Sequence, residues 1–223
     1  MRLVRIRFEK TGQTKYISHL DLMRYMSRAM KRAEIPMWYT EGFNPRPYLT
    51  FALPLSLGTQ SLCEAMDIKI ESEMSNEEIR ERLSQSMPDG IKIYSVEEAK
   101  MDAKEIELAE YDIEIELKAD EVKNFFFSTQ ALLGGAELVV EKLGKKGRQK
   151  VLKQINLIEY IKSFEVNEQD SGIKITAVIS AGNSVNINPS LIVEALLREI
   201  GIKPQLINIT RKKLQTQSGE LFL

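Results

Sequence analysis

The chain has 223 residues, of which 43% are hydrophobic, and its 31 Lys and Arg nearly balance its 32 Asp and Glu. This composition predicts a globular protein of one large or two small domains, and without an apolar run of about 18 residues or a signal peptide we expect it to be cytoplasmic, with no membrane contact. The single Cys63 and the single His19 exclude an internal disulfide and a structural zinc or iron–sulfur site, so we predict neither metal nor cofactor.

The first hundred residues predict the order strand, helix, strand, strand, helix, strand. The first strand alternates charged with apolar side chains, which indicates one charged and one buried face. Ser18 is the predicted N-cap of the first helix, which Pro36 ends, and Ser75 is the N-cap of the second. The predicted strands are residues 3–8, 49–55, 63–72 and 91–99.

A similar order recurs in the second half of the sequence. We predict strands at 111–118, 136–143, 172–180 and 205–214, and helices at 119–135 and 188–201. Residues 144–166 stay unassigned, and the tail 215–223 is predicted to be peripheral. The fold class is therefore α+β, with two tandem ferredoxin-like (βαββαβ) domains built on antiparallel sheets, at residues 1–105 and 106–223.

The first helix carries a stripe of cations. Arg24, Arg28 and Arg32 recur at i, i+4 and i+8 on the face away from Leu22 and Met26. Residues 1–60 hold 10 basic and 4 acidic groups, although the whole chain is nearly neutral. Such a stripe is typical of proteins that hold a phosphate backbone, and an ordinary solvated helix face is the alternative. Other members of this basic region are Arg2, Arg5, Arg7, Lys10, Lys15 and Lys31.

Aromatic side chains and a constrained loop follow this helix. Pro45 and Pro47 restrict the backbone on both sides of Arg46, so the loop can present that arginine rigidly. Gly42 permits backbone angles that other residues avoid, and Asn44 can hydrogen-bond its own backbone. Flat rings beside cations suit single-stranded RNA, because bases stack on the rings while cations track the backbone. Core packing of the rings is the alternative. The aromatics are Trp38, Tyr39, Phe43 and Tyr48, and the predicted binding residues are Lys15, Arg24, Arg28, Arg32, Tyr39, Asn44, Arg46 and Tyr48.

His19 is the one side chain whose ordinary pKa suits proton transfer near neutral pH. It is the candidate catalytic residue, as a general base with Tyr16 and Lys15 nearby, and the alternative is a packing histidine. A second basic segment surrounds GKKG at 144–147 and could be another phosphate contact or a solvated turn. Its cations are Lys142, Lys145, Lys146, Arg148, Lys150 and Lys153.

The segment KTGQTKYISHLDLMRYMSRAMKRAEIPMWYTEGFNPRPYLTFALPLSLGTQS, residues 10–61, resembles the signature of the radical-SAM-linked proteins, a bacterial family of unknown function. The resemblance implies a radical SAM protein as partner and, through the family's gene neighbours, RNA-related work. The chain lacks the three-Cys motif of radical SAM enzymes, so by this resemblance it is at most the partner of the catalyst. The predicted architecture, with a His near the first helix, also resembles the CRISPR repeat-processing endoribonucleases, which cleave without metal.

These observations predict an RNA-binding or substrate-presenting accessory protein that works with a radical SAM partner. Two alternatives stay open. One is a metal-independent endoribonuclease that uses His19. The other is a protein-interaction adaptor that needs no nucleic acid and docks its partner through the acidic middle segment, residues 61–120, which holds 18 acidic and 7 basic groups. Whether the chain is itself an enzyme is therefore undecided by its sequence, although a non-catalytic role is favoured.

Overall fold

The computed structural model describes residues 1–146, 149–182 and 185–223, with the backbone alone at 142–146 and 149–153. Over these residues the protein is of mixed α+β class, with mostly antiparallel strands and four α-helices. It divides into two compact units, Met1–Glu107 with Thr210–Leu223, and Leu108–Ile209. Residues 210–223 therefore lie with the first unit, whereas the sequence placed them with the second. No helix in the described ranges is long and apolar enough to cross a membrane.

The first unit has the predicted order of elements. The elements are β1 (Arg2–Lys10), α1 (His19–Arg32), β2 (Leu49–Phe51), β3 (Gln60–Ile70), α2 (Asn76–Ser84) and β4 (Ile91–Glu98), with β10 at Leu206–Gln215. The strands neighbour one another as β4-β1-β3-β2, all antiparallel, and the end of β10 pairs parallel with β3, Thr210 opposite Gln60.

The helices of this unit begin where their sequences predict. The Ser18 side chain accepts a hydrogen bond from the Asp21 N–H and the Ser75 side chain accepts one from the Glu78 N–H, so both predicted N-caps are confirmed. Helix α1 ends at Arg32, before Pro36, with Glu34 in the left-handed conformation at φ 53°. Its apolar face packs on the sheet in one core with α2, and the fully buried members include Val4, Ile6, Phe8, Met26, Met30, Ile79 and Leu83.

The other face of β1 is covered, which the sequence did not predict. Arg5 is 1% exposed and binds Asp67 on β3 at 2.8 and 2.9 Å, and the Phe222 ring lies 4.2 Å from its guanidinium. Arg7 donates to the Phe222 carbonyl, and Lys10 is also 1% exposed. Two members of the basic region, Arg5 and Lys10, are therefore buried, and the prediction of a peripheral tail is wrong, because Phe222 packs against Arg5. Alternation along a strand cannot distinguish a charged face in water from one that another segment covers.

The second unit differs from its predicted strand order. Residues 136–143 were predicted to be the second strand of the repeat, but β6 pairs with β7 in a separate hairpin, and β8 takes the place beside β9. β8 begins within the unassigned segment 144–166 and extends beyond it to Gln169. Val166 is its one buried residue, so its alternation is weak. The elements are β5 (Leu108–Glu116), α3 (Val122–Leu133), β6 (Val139–Lys146), β7 (Gln149–Asn156), β8 (Ile161–Gln169), β9 (Gly172–Ser180) and α4 (Pro189–Ile200).

Residues 144–146 of the predicted phosphate contact around GKKG belong to β6. Residues 147 and 148 lie outside the described part of the chain, and the side chains of 142–146 and 149–153 are outside it as well. This contact therefore stays a prediction.

Candidate nucleic-acid interface

The constrained segment after α1 forms a hairpin-like loop, here the 40–46 loop. The Thr40 N–H donates to the Arg46 carbonyl at 2.9 Å, and the Arg46 N–H donates back to the Thr40 hydroxyl at 3.1 Å. Tyr39 pairs with Pro47 just below this closure. Gly42 adopts a φ of +125°, which side-chain-bearing residues rarely adopt, so the tight tip depends on glycine.

A groove of about 510 Å³ lies between α1 and this loop. Arg24 and Arg28 line it from the helix, and Arg46 lines it from the loop. Arginines that are far apart in sequence thus border one concave surface, which we name the arginine groove. The rest of its lining is mostly apolar and consists of Leu20, Met23, Ser27, Pro47 and Leu49.

The charges of the arginine groove are only partly neutralised. Arg24 pairs with Asp21 at 3.1 Å, in an exposed contact that water screens. The Ser18 hydroxyl, and then Arg24, hold the pKa of Asp21 below its ordinary value. The guanidinium groups of Arg28 and Arg46 are exposed and have no ion-pair partner in the described part of the chain. Two cations can therefore accept an external anion without first losing an internal one.

The other predicted binding residues do not line this groove. Arg32 donates to the carbonyl of Ser86, just after α2, at 3.3 Å, and its guanidinium lies over the Tyr25 ring of its own helix. Lys15 belongs to the 3-10 turn Gly12–Tyr16 before α1, and its ammonium lies 5.3 Å from the Tyr16 ring centroid. Asn44 is exposed at the tip of the 40–46 loop, while Tyr39 and Tyr48 belong to its two arms.

Trp38 and Tyr48 form an aromatic pair around a lysine. Their ring centroids are 6.2 Å apart, and the Lys69 ammonium lies 5.1 Å from the first and 4.4 Å from the second. These are cation–π distances. Lys69 therefore occupies a face of each ring that the sequence offered as a platform for bases.

The His19 ring packs edge-on against Phe51, with 5.2 Å between ring centroids. Burial lowers the pKa of His19, because it disfavours the imidazolium; Glu64 opposes this shift and Lys10 adds to it. The histidine is not among the residues that line the arginine groove. These surroundings are those of a packing histidine, and its catalytic role stays a prediction.

A buried ionic cluster of Glu64, Arg211 and Lys10 was not predicted from the sequence. Arg211 on β10 donates to Glu64 at 2.5 Å and to the Leu53 carbonyl at 3.0 Å, and both charged side chains are at most 2% exposed. Burial lowers the pKa of Lys10, with Glu64 opposing the shift and Arg211 adding to it. Burial also raises the pKa of the Cys63 thiol to about 11, so it stays protonated. No local signal could have indicated an ion pair 147 positions apart in sequence.

The structure is therefore that of an α+β protein whose first unit carries a concave basic surface. The chain belongs to the family described as "Uncharacterized protein conserved in bacteria (DUF2344)", which it matches over residues 3–189. The match includes every residue of the arginine groove. No curated protein matches the chain.

Among solved structures, the chain is similar to a chain of the "Crystal Structure of a Cbf5-Nop10-Gar1 Complex", with 11% identity and a TM-score of 0.49, over 95% of this chain and 48% of that one. It thus spans about half the length of that relative. It is also similar to a chain of the "Crystal Structure of an Unknown Protein from Galdieria sulphuraria", with 12% identity and a TM-score of 0.28, over 94% of this chain and 98% of that one. Neither similarity supports a functional assignment.

Proposed function

We propose that the arginine groove binds RNA, and that the protein is a cytoplasmic RNA-binding or substrate-presenting accessory. One observation supports this most strongly. Arg24 and Arg28 from a helix and Arg46 from a separate stiff loop border the same groove, and two of them lack an internal ion pair among the described residues. Guanidinium groups bind phosphates in forked geometry, so a converging set suits a nucleic-acid backbone.

We further propose that a radical SAM protein is the partner that supplies chemistry. This rests on the resemblance of residues 10–61 to the radical-SAM-linked proteins. Co-elution of the two proteins from a size-exclusion column is the expected result. Separate elution at concentrations above those in the cell would contradict the partnership, without affecting the RNA proposal.

We also infer that both units are ferredoxin-like. The first unit supports this with its βαββαβ chain order and its neighbour order β4-β1-β3-β2. In the second unit, β5, β8, β9 and the part of β10 up to Ile209, with α3 and α4, follow the same scheme if β6 and β7 are an insertion. A ferredoxin-like sheet leaves one face free of helices, and in the first unit Phe222 packs on that face.

The test of the RNA proposal measures binding of labelled ribosomal and total RNA over a range of salt concentrations. We expect the combined Arg24→Ala, Arg28→Ala and Arg46→Ala variant to bind far more weakly. If the three arginines each contact a phosphate, the slope of log K against log salt becomes shallower by about 2, because each contact to a single strand contributes about 0.7.

Two controls separate the groove from general charge. Replacing Arg80, Arg82 and Arg198 by Ala removes the same number of arginines at partly or fully exposed sites outside the groove, each of them paired with a glutamate, and wild-type affinity is expected. Arg32→Ala removes a charge from the same helix but not from the groove, with the same expectation. Equal losses in the groove and control variants would contradict the proposal.

The same tubes test the two alternatives. RNA cleavage that disappears in His19→Ala would favour the endoribonuclease. If the wild-type protein binds no RNA at low salt, the accessory role in RNA binding is wrong, and the adaptor that docks a protein partner remains.

A further inference from the structure

We infer that the arginine groove takes single-stranded RNA, and that Phe43 stacks on an unpaired base of that strand. The inference rests on the proposed function and adds to it the form of the RNA and a second contact. Phe43 is fully exposed, at 105%, the highest value of any large hydrophobic side chain in the described residues. An aromatic ring so placed in water contributes nothing to the core of its own unit.

The position of Phe43 is held by the loop around it. Phe43 follows Gly42, whose left-handed backbone shapes the tip, and it precedes Pro45 by two residues. The reciprocal hydrogen bonds between Thr40 and Arg46 close the loop below it. Because these constraints exist before any ligand arrives, a ring at this tip binds without a large loss of loop entropy.

Phe43 shares its loop with a cation of the groove. Arg46 comes three residues later and lines the groove opposite Arg24 and Arg28. A strand whose phosphates contact these arginines therefore passes the loop that carries the exposed ring. This pairing of backbone cations with a flat apolar platform is how single-stranded nucleic acid is commonly bound.

The neighbouring aromatics are less suited to stacking. Trp38 and Tyr48 each have a face occupied by Lys69, as described above. Tyr39 is 46% exposed and pairs through its backbone with Pro47. Of the four aromatic residues in this segment, Phe43 is the one whose ring is fully open to solvent.

The apolar lining of the groove also favours a single strand. Leu20, Met23, Pro47 and Leu49 lie among the arginines, where a duplex would present phosphates and riboses and keep its base faces stacked inside. An unpaired strand exposes base faces that can contact such side chains. The groove therefore matches a ligand that is both anionic and partly apolar along its surface.

The experiment compares a short unstructured RNA with the blunt duplex that it forms with its complement. Phe43→Ala is expected to weaken binding of the single strand about 10-fold, the size of one lost base stack. Binding of the duplex is expected to change little, and the salt slope of the single strand is expected to stay at the wild-type value, because no phosphate contact is lost.

Two further variants separate stacking from simple apolar contact. Phe43→Leu keeps an apolar side chain without a flat ring and is expected to behave like Phe43→Ala. Phe43→Trp keeps an aromatic ring and is expected to bind like wild type. The single strand should quench the fluorescence of this variant more than that of wild type, whose single tryptophan is Trp38. Position 43 is fully exposed, so these variants should fold normally.

The outcomes distinguish this inference from the function on which it rests. If the groove variant loses binding while Phe43→Ala and Phe43→Leu retain it, RNA binding stands and base stacking at Phe43 is wrong. If the duplex binds as tightly as the single strand in every variant, the preference for unpaired RNA is wrong. If wild type binds neither form, the proposed function itself fails.

Discussion

Arg5 and Arg28 carry the same charge and lie in the same basic third of the chain, but their surroundings assign them opposite roles. Arg5 is held by Asp67 and by two backbone carbonyls, and Phe222 covers it. Arg28 is exposed in the arginine groove and has no ion-pair partner in the described part of the chain. The charge of the first arginine is satisfied within the unit, so its loss would leave a buried charge without its partner, whereas the second arginine is available to a ligand.

Protonation of His19 is expected to destabilise the first unit. Burial lowers its pKa below the ordinary value of 6.5, so the folded state favours the neutral ring and the unfolded chain takes up the proton first. The contribution of His19 to stability is therefore complete above pH 6.5 and is lost as pH falls through the lowered pKa. From about pH 7.5 to about pH 5.5, the urea midpoint of wild type should fall more than that of His19→Gln.

The pKa of His19 can also be measured directly. His19 is the only histidine, so its Cε1 proton gives one histidine resonance that can be followed in an NMR titration. A midpoint below 6.5 is expected, and a midpoint at or above that value would contradict the packing role that the structure gives this residue.

At the scale of secondary structure elements, α1 has one face in the core and the other on the arginine groove. Met26 and Met30 are fully buried against the sheet, while Arg24 and Arg28 lie on the open side. Ser18 caps the helix and fixes where it begins, so the positions of these arginines depend on the cap as well as on helical spacing.

Elements with local signals could be predicted from the sequence, and elements defined by distant contacts could not. The caps at Ser18 and Ser75 and the apolar stripe of α1 are local, and both N-caps are confirmed. Strand β8 has one buried residue, and the pairing of Thr210 with Gln60 joins positions remote in sequence. For the candidate site, helical spacing aligned Arg24 with Arg28, but which of Arg32 and Arg46 lines the groove depends on tertiary packing.

RNA affinity is expected to fall when the hydrogen bond that closes the 40–46 loop is removed. Thr40→Val keeps the side-chain shape but removes the hydroxyl that accepts from the Arg46 N–H. Arg46 then has to be ordered on binding, so RNA affinity should fall about 2- to 10-fold, the cost of immobilising one such side chain. The free energy of unfolding, measured in urea, should change by no more than about 1 kcal/mol, because water can replace this exposed hydrogen bond.

The matched control is Thr50→Val, which makes the same change at an exposed position of β2. Filter binding or fluorescence anisotropy with one RNA measures both variants. Wild-type affinity in Thr40→Val would show that the loop does not need this closure to present Arg46.

At the scale of the whole molecule, the chain returns to its first unit after completing the second. Thr210–Leu223 supplies the parallel neighbour of β3, the guanidinium that neutralises Glu64, and the ring that covers Arg5. The first unit is therefore built from two segments that are far apart in sequence. Its stability depends on both, because Glu64 and Arg5 are buried charges whose partners lie partly in the second segment.

Residues 1–107 alone are expected not to fold cooperatively. Without Arg211 the buried Glu64 carboxylate has lost a partner, which costs about 3–5 kcal/mol, and the loss of Phe222 costs about as much again. Together these losses reach the whole stability of an ordinary domain, about 5–15 kcal/mol. Joining 1–107 to 210–223 through a flexible Gly/Ser linker restores both contacts, so this fusion should unfold in one urea transition, followed by Trp38 fluorescence.

The same fusion with Arg211→Ala and Phe222→Ala is the control, and it should behave like 1–107, because it keeps the added length without the two contacts. Leu221→Ala in the fusion changes a neighbouring side chain that is half exposed and should have little effect. If residues 1–107 instead unfold at the same urea midpoint as the fusion, the buried charges of β1 and β3 are satisfied without the returning strand. The unit would then be complete at Glu107, and the segment Thr210–Leu223 would only cover it.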